Sequence, residues 1–279
     1  MLKHDLLGDD EWVLINQRCH GQLGDIVMSL NLMYNLGVET GRRFEIVCYD
    51  GAVSQLLDIF DYGISRRSGN APVGSGNEIG RFGDINILLD YPCRSVYGKI
   101  GGLERSAIAA PWGVDLYGSS PDRVSCSAFP HKLRSFRLPP RKVSASGALG
   151  TACCQMDTRS AHPGKDRFST EEVDRANAMF GDKDSVHIGG PGTDAYTGGL
   201  RTHYAALREQ SEFILGCSGF YGVDSGMSHL AGTLGMPGDV VIQNSGEFES
   251  LSYMYGLMYP SLRVHRRSVL EGVVGSEPR

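Results

Sequence analysis

Short apolar runs alternate with amphipathic stretches along most of this 279-residue chain, and that alternation constrains the fold more than any single motif. A strand-length apolar run followed by residues with helical spacing is the pattern of strands and crossover helices around a parallel sheet. In the first half, Trp12–Asn16 (WVLIN) reads as a strand and Asp25–Leu36 as the helix after it. Phe44–Tyr49 (FEIVCY) is a second strand, Ala52–Phe60 a helix, and Ile85–Leu89 (INILL) a further strand. Ser68–Asn77 is a loop rich in Gly, Pro and Ser.

In Leu138–Gly147 (LPPRKVSASG) two prolines precede small polar residues, which marks a linker. A second set follows. Ala148–Cys153 reads as a strand, and Thr170–Phe180 as a helix with Ser169 as N-cap and Glu172 at the capping-box position. Then come a strand at Val186–Ile188, a helical region over Tyr204–Cys217 and a strand at Phe220–Val223. A helix at Ser225–Leu234, a strand at Val240–Gln243 and a helix near Phe248–Leu257 complete the set. The expectation is an α/β protein of two doubly wound domains facing each other across a cleft, residues 1–143 and 144–279. There is no internal repeat.

Composition narrows the function. The 37 glycines fall mostly after apolar runs, as in α/β proteins whose loops approach ligands closely. A net charge of −5 gives no global electrostatic footprint for nucleic acid. The seven cysteines form an odd set without a CxxC pair and read as reduced thiols of a cytoplasmic protein. The charged start, MLKHDLLGDDEW, lacks an apolar signal core, and no apolar run approaches the roughly 20 residues of a membrane span. GxSxG and GxxxxGK(S/T) are absent, which argues against an α/β-hydrolase and a P-loop kinase. Asp182-Lys183-Asp184 matches the DxD of metal-dependent glycosyltransferases, but it lies between a helix and a strand and reads as a turn. The basic run Arg263–Arg267 (RVHRR) reads as a solvated tail.

The strongest chemical signal is Gly222–Pro237 (GVDSGMSHLAGTLGMP). An apolar strand ends at Asp224 and a helix begins at once. Ser225 and Gly226 offer backbone N–H groups where the helix dipole is positive, a site suited to a diphosphate. Asp224 can cap the helix, and His229 lies one turn in, near the carboxyl end of the strand. A second segment, Arg18–Asn31 (RCHGQLGDIVMSLN), follows the first strand. Gly21 and Gly24 permit a tight backbone there, and Asp25 begins the helix.

Together these segments resemble the ADP-heptose:lipopolysaccharide heptosyltransferase family, glycosyltransferase family 9. The first is similar to its D-S/T-G-x-x-H-L-A signature, the second to its opening R-x-x-x-LGD loop. The resemblance covers roughly residues 12–40 and 148–243. It implies a GT-B fold of two Rossmann-like domains, the first binding the acceptor and the second a nucleotide-diphosphate sugar. Transfer would be inverting and metal-independent, with no cofactor. Asp25 would be the general base, on an acceptor-side loop with Arg18, Gly21 and Gly24. Lys165, ahead of Phe168, takes the place of the family's phosphate-contacting lysine in Gln155–Phe168, with Arg159 a second cation. Gly189, Gly190 and Gly192 in His187–Asp194 (HIGGPGTD) match the family's Gly-Gly turn. Asp224, Ser225, Gly226 and His229 complete the donor site, and Glu247 stands where an acidic residue holds ribose in many GT-B enzymes. The acceptor is a glycan or glycolipid by family default, with a protein or a modified base of phage DNA as alternatives. A non-catalytic nucleotide-sugar binding protein of the same fold is the second reading.

Overall fold

The structure is a computed structural model that describes residues 12–17, 23–40, 43–48, 51–66, 78–82, 85–89, 114–118, 123–124, 136–157, 168–182, 184–189 and 200–271. The chain divides into two compact units, Met1–Lys142 and Val143–Arg279.

The first unit carries a seven-stranded sheet ordered β3-β2-β1-β4-β5-β6-β7. Its strands are β1 (Trp12–Gln17), β2 (Arg43–Cys48), β3 (Ile64–Arg66), β4 (Glu78–Phe82), β5 (Ile85–Leu89), β6 (Val114–Gly118) and β7 (Arg123–Val124). Helices α1 (Leu23–Thr40) and α2 (Gly51–Ile59) follow β1 and β2. The strands β1 and β2 pair in parallel, as expected, and β3, which the sequence reading did not include, pairs in parallel with β2. The other half does not: β4 pairs antiparallel with β1 and β5, and β6 antiparallel with β5 and β7. Two residues, Gly83 and Asp84, separate β4 from β5. A connection that short excludes a crossover and leaves only a hairpin. Helix α1 begins at Leu23, so Asp25 sits inside its first turn and does not open it.

Helix α1 buries Ile26, Val27 and Leu30. Its Asn35 side chain exchanges hydrogen bonds with the backbone of Arg137, 2.8 and 2.9 Å long. The chain then runs along the end of α2, where the amides of Asp61 and Lys142 donate to the carbonyls of Pro140 and Ile59.

The second unit holds a six-stranded sheet, parallel throughout, ordered β10-β9-β8-β11-β12-β13. Its strands are β8 (Ala152–Gln155), β9 (Val186–Gly189), β10 (Arg201–Tyr204), β11 (Gly219–Val223), β12 (Gly238–Ile242) and β13 (Leu262–Arg266). Renumbered within the unit this is 3-2-1-4-5-6, the Rossmann order, whose switch point lies between β8 and β11. Helices α3 (Thr170–Phe180), α4 (Leu207–Gly216), α5 (Gly226–Thr233) and α6 (Phe248–Met258) follow β8, β10, β11 and β12. Strands β8 and β9 are buried at every position, as a sheet covered on both faces requires. Cys154, Tyr221, Val223 and Val241 pack with Val173 and Ala176 of α3.

Three expectations are corrected here. The strand expected at Ala148–Cys153 begins at Ala152, because residues 144–150 are exposed and pairing with β11 starts at Ala152 opposite Gly219. Tyr204 ends strand β10 and is not helical; α4 starts at Leu207. The basic run Arg263–Arg267 is no tail: four of its residues lie in β13, the sixth strand, and Arg267 follows directly. Arg267 reaches both Glu172 carboxylate oxygens, at 2.6 and 2.8 Å, and stacks over Phe168.

Candidate functional site

Open parallel sheets bind ligands at the carboxyl ends of their strands, beside the switch point. Here that edge is formed by Gln155 at the end of β8 and by Asp224 and Ser225 just past β11. Gln155 and Gly222 are register partners on the two strands that flank the switch. The Ser225 hydroxyl donates to Gln155 Oε1 at 2.6 Å, tying the two strand ends together.

Ser225, and not Asp224, is the N-cap of α5. Its Oγ accepts from the Ser228 amide at 3.3 Å, and Ser228 Oγ accepts from the Ser225 amide at 2.9 Å. This reciprocal capping box changes which amides remain open. The Ser225 N–H, expected to face a ligand, is consumed. The amides of Gly226 and Met227 are the pair without an acceptor among the described residues.

The other end of α5 closes with equal care. The Gly235 amide donates to Gly232 O and the Met236 amide to Ala231 O, with Gly235 at φ 70°. This Schellman closure uses the left-handed conformation that glycine adopts without strain. Within the helix, a Cβ on Gly232 would stand 2.5 Å from the Tyr259 ring, so glycine there lets that ring approach.

Asp224 is buried. Its Oδ1 accepts from the Tyr255 hydroxyl at 2.8 Å and lies 3.5 Å from His229 Nε2. His229 is buried too, with Nδ1 3.2 Å from the Tyr259 hydroxyl and its ring stacked on Tyr255. Tyr255 Oη is also 2.7 Å from Ser228 Oγ. Burial, reinforced by the Asp224 charge, pushes the Tyr255 hydroxyl far above the ordinary tyrosine range, so it keeps its proton. That proton serves the carboxylate, while the Ser228 hydroxyl donates to the Ser225 carbonyl at 2.7 Å. The result is a buried polar network in which His229 turns toward Asp224 and Tyr259.

Other expected residues fall as follows. Gly189 ends β9, buried and with φ 141°, and Gly24 lies in the first turn of α1. Glu247 closes a short 3-10 turn, Ser245–Glu247, whose N-cap is Asn244. The side chains of Asp25 and Glu247, and the whole of Arg18, Gly21, Arg159, Lys165, Gly190 and Gly192, lie outside the described residues. Asp182 sits in the turn expected for the DxD sequence. Burial raises its pKa, but donors from Ala152, Asp184, Thr151 and Ser185 outweigh that and hold it below the ordinary value. Among the described residues no group of three or more His, Cys, Asp or Glu is placed to hold a metal ion, and no helix is long and apolar enough to cross a membrane. Cys153, Cys154 and Cys217 are free and buried, and burial pushes the Cys154 thiol up to about 12.

Sequence reasoning missed Gln155, Met227, Ser228, Tyr255 and Tyr259. Tyr255 lies in the last turn of α6 and Tyr259 just past it, four residues on, a helical spacing that was available as a signal.

No family model matches the chain, and no curated protein matches it. Similar solved structures include the bacterial iron-containing dodecameric glycosyltransferase TibC from enterotoxigenic E. coli, 16% identical with a TM-score of 0.48 over 82% of this chain and 58% of that one. Dodecameric iron-containing heptosyltransferase TibC in complex with ADP-D-β-D-heptose is 16% identical, TM-score 0.49, over 91% of this chain and 62% of that one. A glycosyl transferase family 9 protein from Veillonella parvula is 12% identical, TM-score 0.48, over 96% of this chain and 91% of that one. This chain thus spans 58% and 62% of the length of the first two.

Proposed function

We propose that this chain is a glycosyltransferase of the GT-B type that takes its sugar from a nucleotide-diphosphate donor held on the second unit. One observation carries the reading. At the switch point of a Rossmann-ordered sheet, β11 runs into Asp224-Ser225-Gly226, and the helix start presents the Gly226 and Met227 amides without acceptors among the described residues. Paired amides at a helix N-terminus favour an anion through direct hydrogen bonds and through the dipole. In this reading they receive the diphosphate, Lys165 and Arg159 add positive charge, the Gly189–Gly190 turn admits the nucleoside, and Glu247 holds ribose.

The chemistry follows from that arrangement. The acceptor hydroxyl attacks the anomeric carbon while Asp25 removes its proton, and the bond to the diphosphate breaks with inversion. Negative charge grows on the leaving diphosphate, where fixed dipoles and cations contribute most. No divalent metal is needed in this scheme. Asp224 and His229, buried beside that helix start, complete the donor site in this reading.

Replacing Gly226 with proline tests the reading. Proline suits the first position of a helix but lacks the N–H. Gly226→Pro should fold like the wild type and bind nucleoside diphosphates about 10- to 100-fold more weakly, as loss of a charge-assisted hydrogen bond predicts. Calorimetry giving equal affinities in a folded variant would refute the placement. A wild-type protein that binds the nucleotide sugar and transfers to no acceptor would favour a binding protein.

A further inference from the structure

Strand β8 carries two adjacent cysteines, and alternation along a strand sends them to opposite faces of the sheet. Cys154 packs with Val173 and Ala176 of α3 in the core of the unit. Cys153 faces the other way and is fully buried. The chain enters β11 beside it. Helix α4 ends at Gly216 with Cys217 as its C-cap, and the amides of Leu149 and Ser218 donate to Gly216 O and Thr151 O, both at 2.8 Å. These bonds lay Cys217 alongside the start of β8, and its thiol is hydrogen-bonded to that of Cys153.

The pair is asymmetric. Cys217 Sγ lies 3.4 Å from the Phe213 carbonyl in the last turn of α4 and keeps 8% exposure, while Cys153 keeps none. The hydrogen bond with Cys153 lowers the Cys217 pKa against the opposing effects of burial and of the Asp182 charge. The same bond, reinforced by burial, raises that of Cys153. A thiolate is the form that attacks an oxidant, and a neighbouring thiol resolves the product. Sugar transfer uses neither sulfur.

We propose that Cys153 and Cys217 are a modification site, a dithiol that hydrogen peroxide closes into a disulfide joining β8 to the entry of β11. The Cys217 thiolate attacks one peroxide oxygen, the O–O bond breaks and hydroxide leaves, so that Cys217 becomes a sulfenic acid. The Cys153 sulfur then attacks the Cys217 sulfur and the S–O bond breaks. The departing hydroxide takes up the Cys153 proton as water. Two thiols and one peroxide thus give one disulfide and two waters. The proposal stands apart from the transferase reading and does not depend on it.

The test treats folded wild-type protein with hydrogen peroxide, blocks the remaining thiols and maps unreduced peptides by mass spectrometry. A Cys153–Cys217 link should appear, two hydrogens lighter than the separate peptides, and dithiothreitol should remove it. This map needs no variant to fold, since fragmentation between Cys153 and Cys154 tells the two apart. The link should persist in Cys154→Ala. In Cys153→Ala, where nothing resolves the sulfenic acid, a 1,3-dione probe should label Cys217. Folded wild type that gives no Cys153–Cys217 link overturns the proposal. So does a link made through Cys154, or one that forms only in urea. An unlabelled Cys217 in Cys153→Ala overturns its role as the attacking sulfur.

Discussion

Three consecutive residues divide the labour at the start of α5. Ser225 caps, Gly226 offers an amide, and Asp224 is buried against Tyr255 and His229. Asp25 lies inside the first turn of α1, as the third residue of the helix. A carboxylate in a first turn gains from the dipole, about 0.3–1 kcal/mol, whatever else it does. Asp25→Asn separates that contribution from catalysis, since it keeps the side chain's shape and loses the proton acceptor. If Asp25 is the base, kcat should fall by on the order of 10²–10⁴ with donor affinity nearly unchanged. Steady-state transfer rates close to wild type would leave Asp25 with the dipole role alone.

At the scale of elements, the local signals that were strong in the sequence appear where they were read. Ser169 and Glu172 form the expected capping box, and α3 spans the expected Thr170–Phe180. The run ending in Leu234-Gly235-Met236-Pro237 stops α5 as glycine before proline should. What was illegible depended on neighbours. Strand β10 has four residues, Arg201–Tyr204, and forms only because β9 offers an edge. Strand β13 looks like a solvated basic run until Asp239 takes Arg263 and His265, each at 2.7 Å, and Glu172 takes Arg267. The hydrogen bond from Arg267, helped by the Ser169 amide, holds the Glu172 carboxyl below its ordinary value of 4.5 against the opposing effect of burial. A lowered carboxylate pKa gives stability that is complete above the unfolded value and disappears as pH falls through the folded one. Melting temperatures of the wild type should therefore exceed those of Glu172→Gln at neutral pH. The gap should narrow as pH drops below the ordinary glutamate range. A gap that stays constant down to the acid limit would assign the difference to packing.

At the scale of the whole molecule, the described strands form two sheets, each built from its own unbroken half of the chain. The functional reading distributes its chemistry accordingly, with Asp25 in the first unit and the paired amides in the second. It also makes a statement about metals. Transfer measured in excess EDTA should proceed at the untreated rate. Activity abolished by EDTA and restored by Mg²⁺ or Mn²⁺ would require a different account of how the leaving diphosphate is neutralised.

Because the chain passes from one unit to the other at Lys142–Val143, the order of synthesis matters. On the ribosome, the first sheet has all its described strands, and Asn35 has its partner at Arg137, before the second unit has been translated. At the usual 5–20 residues per second, the nascent first unit has several seconds or more to fold alone.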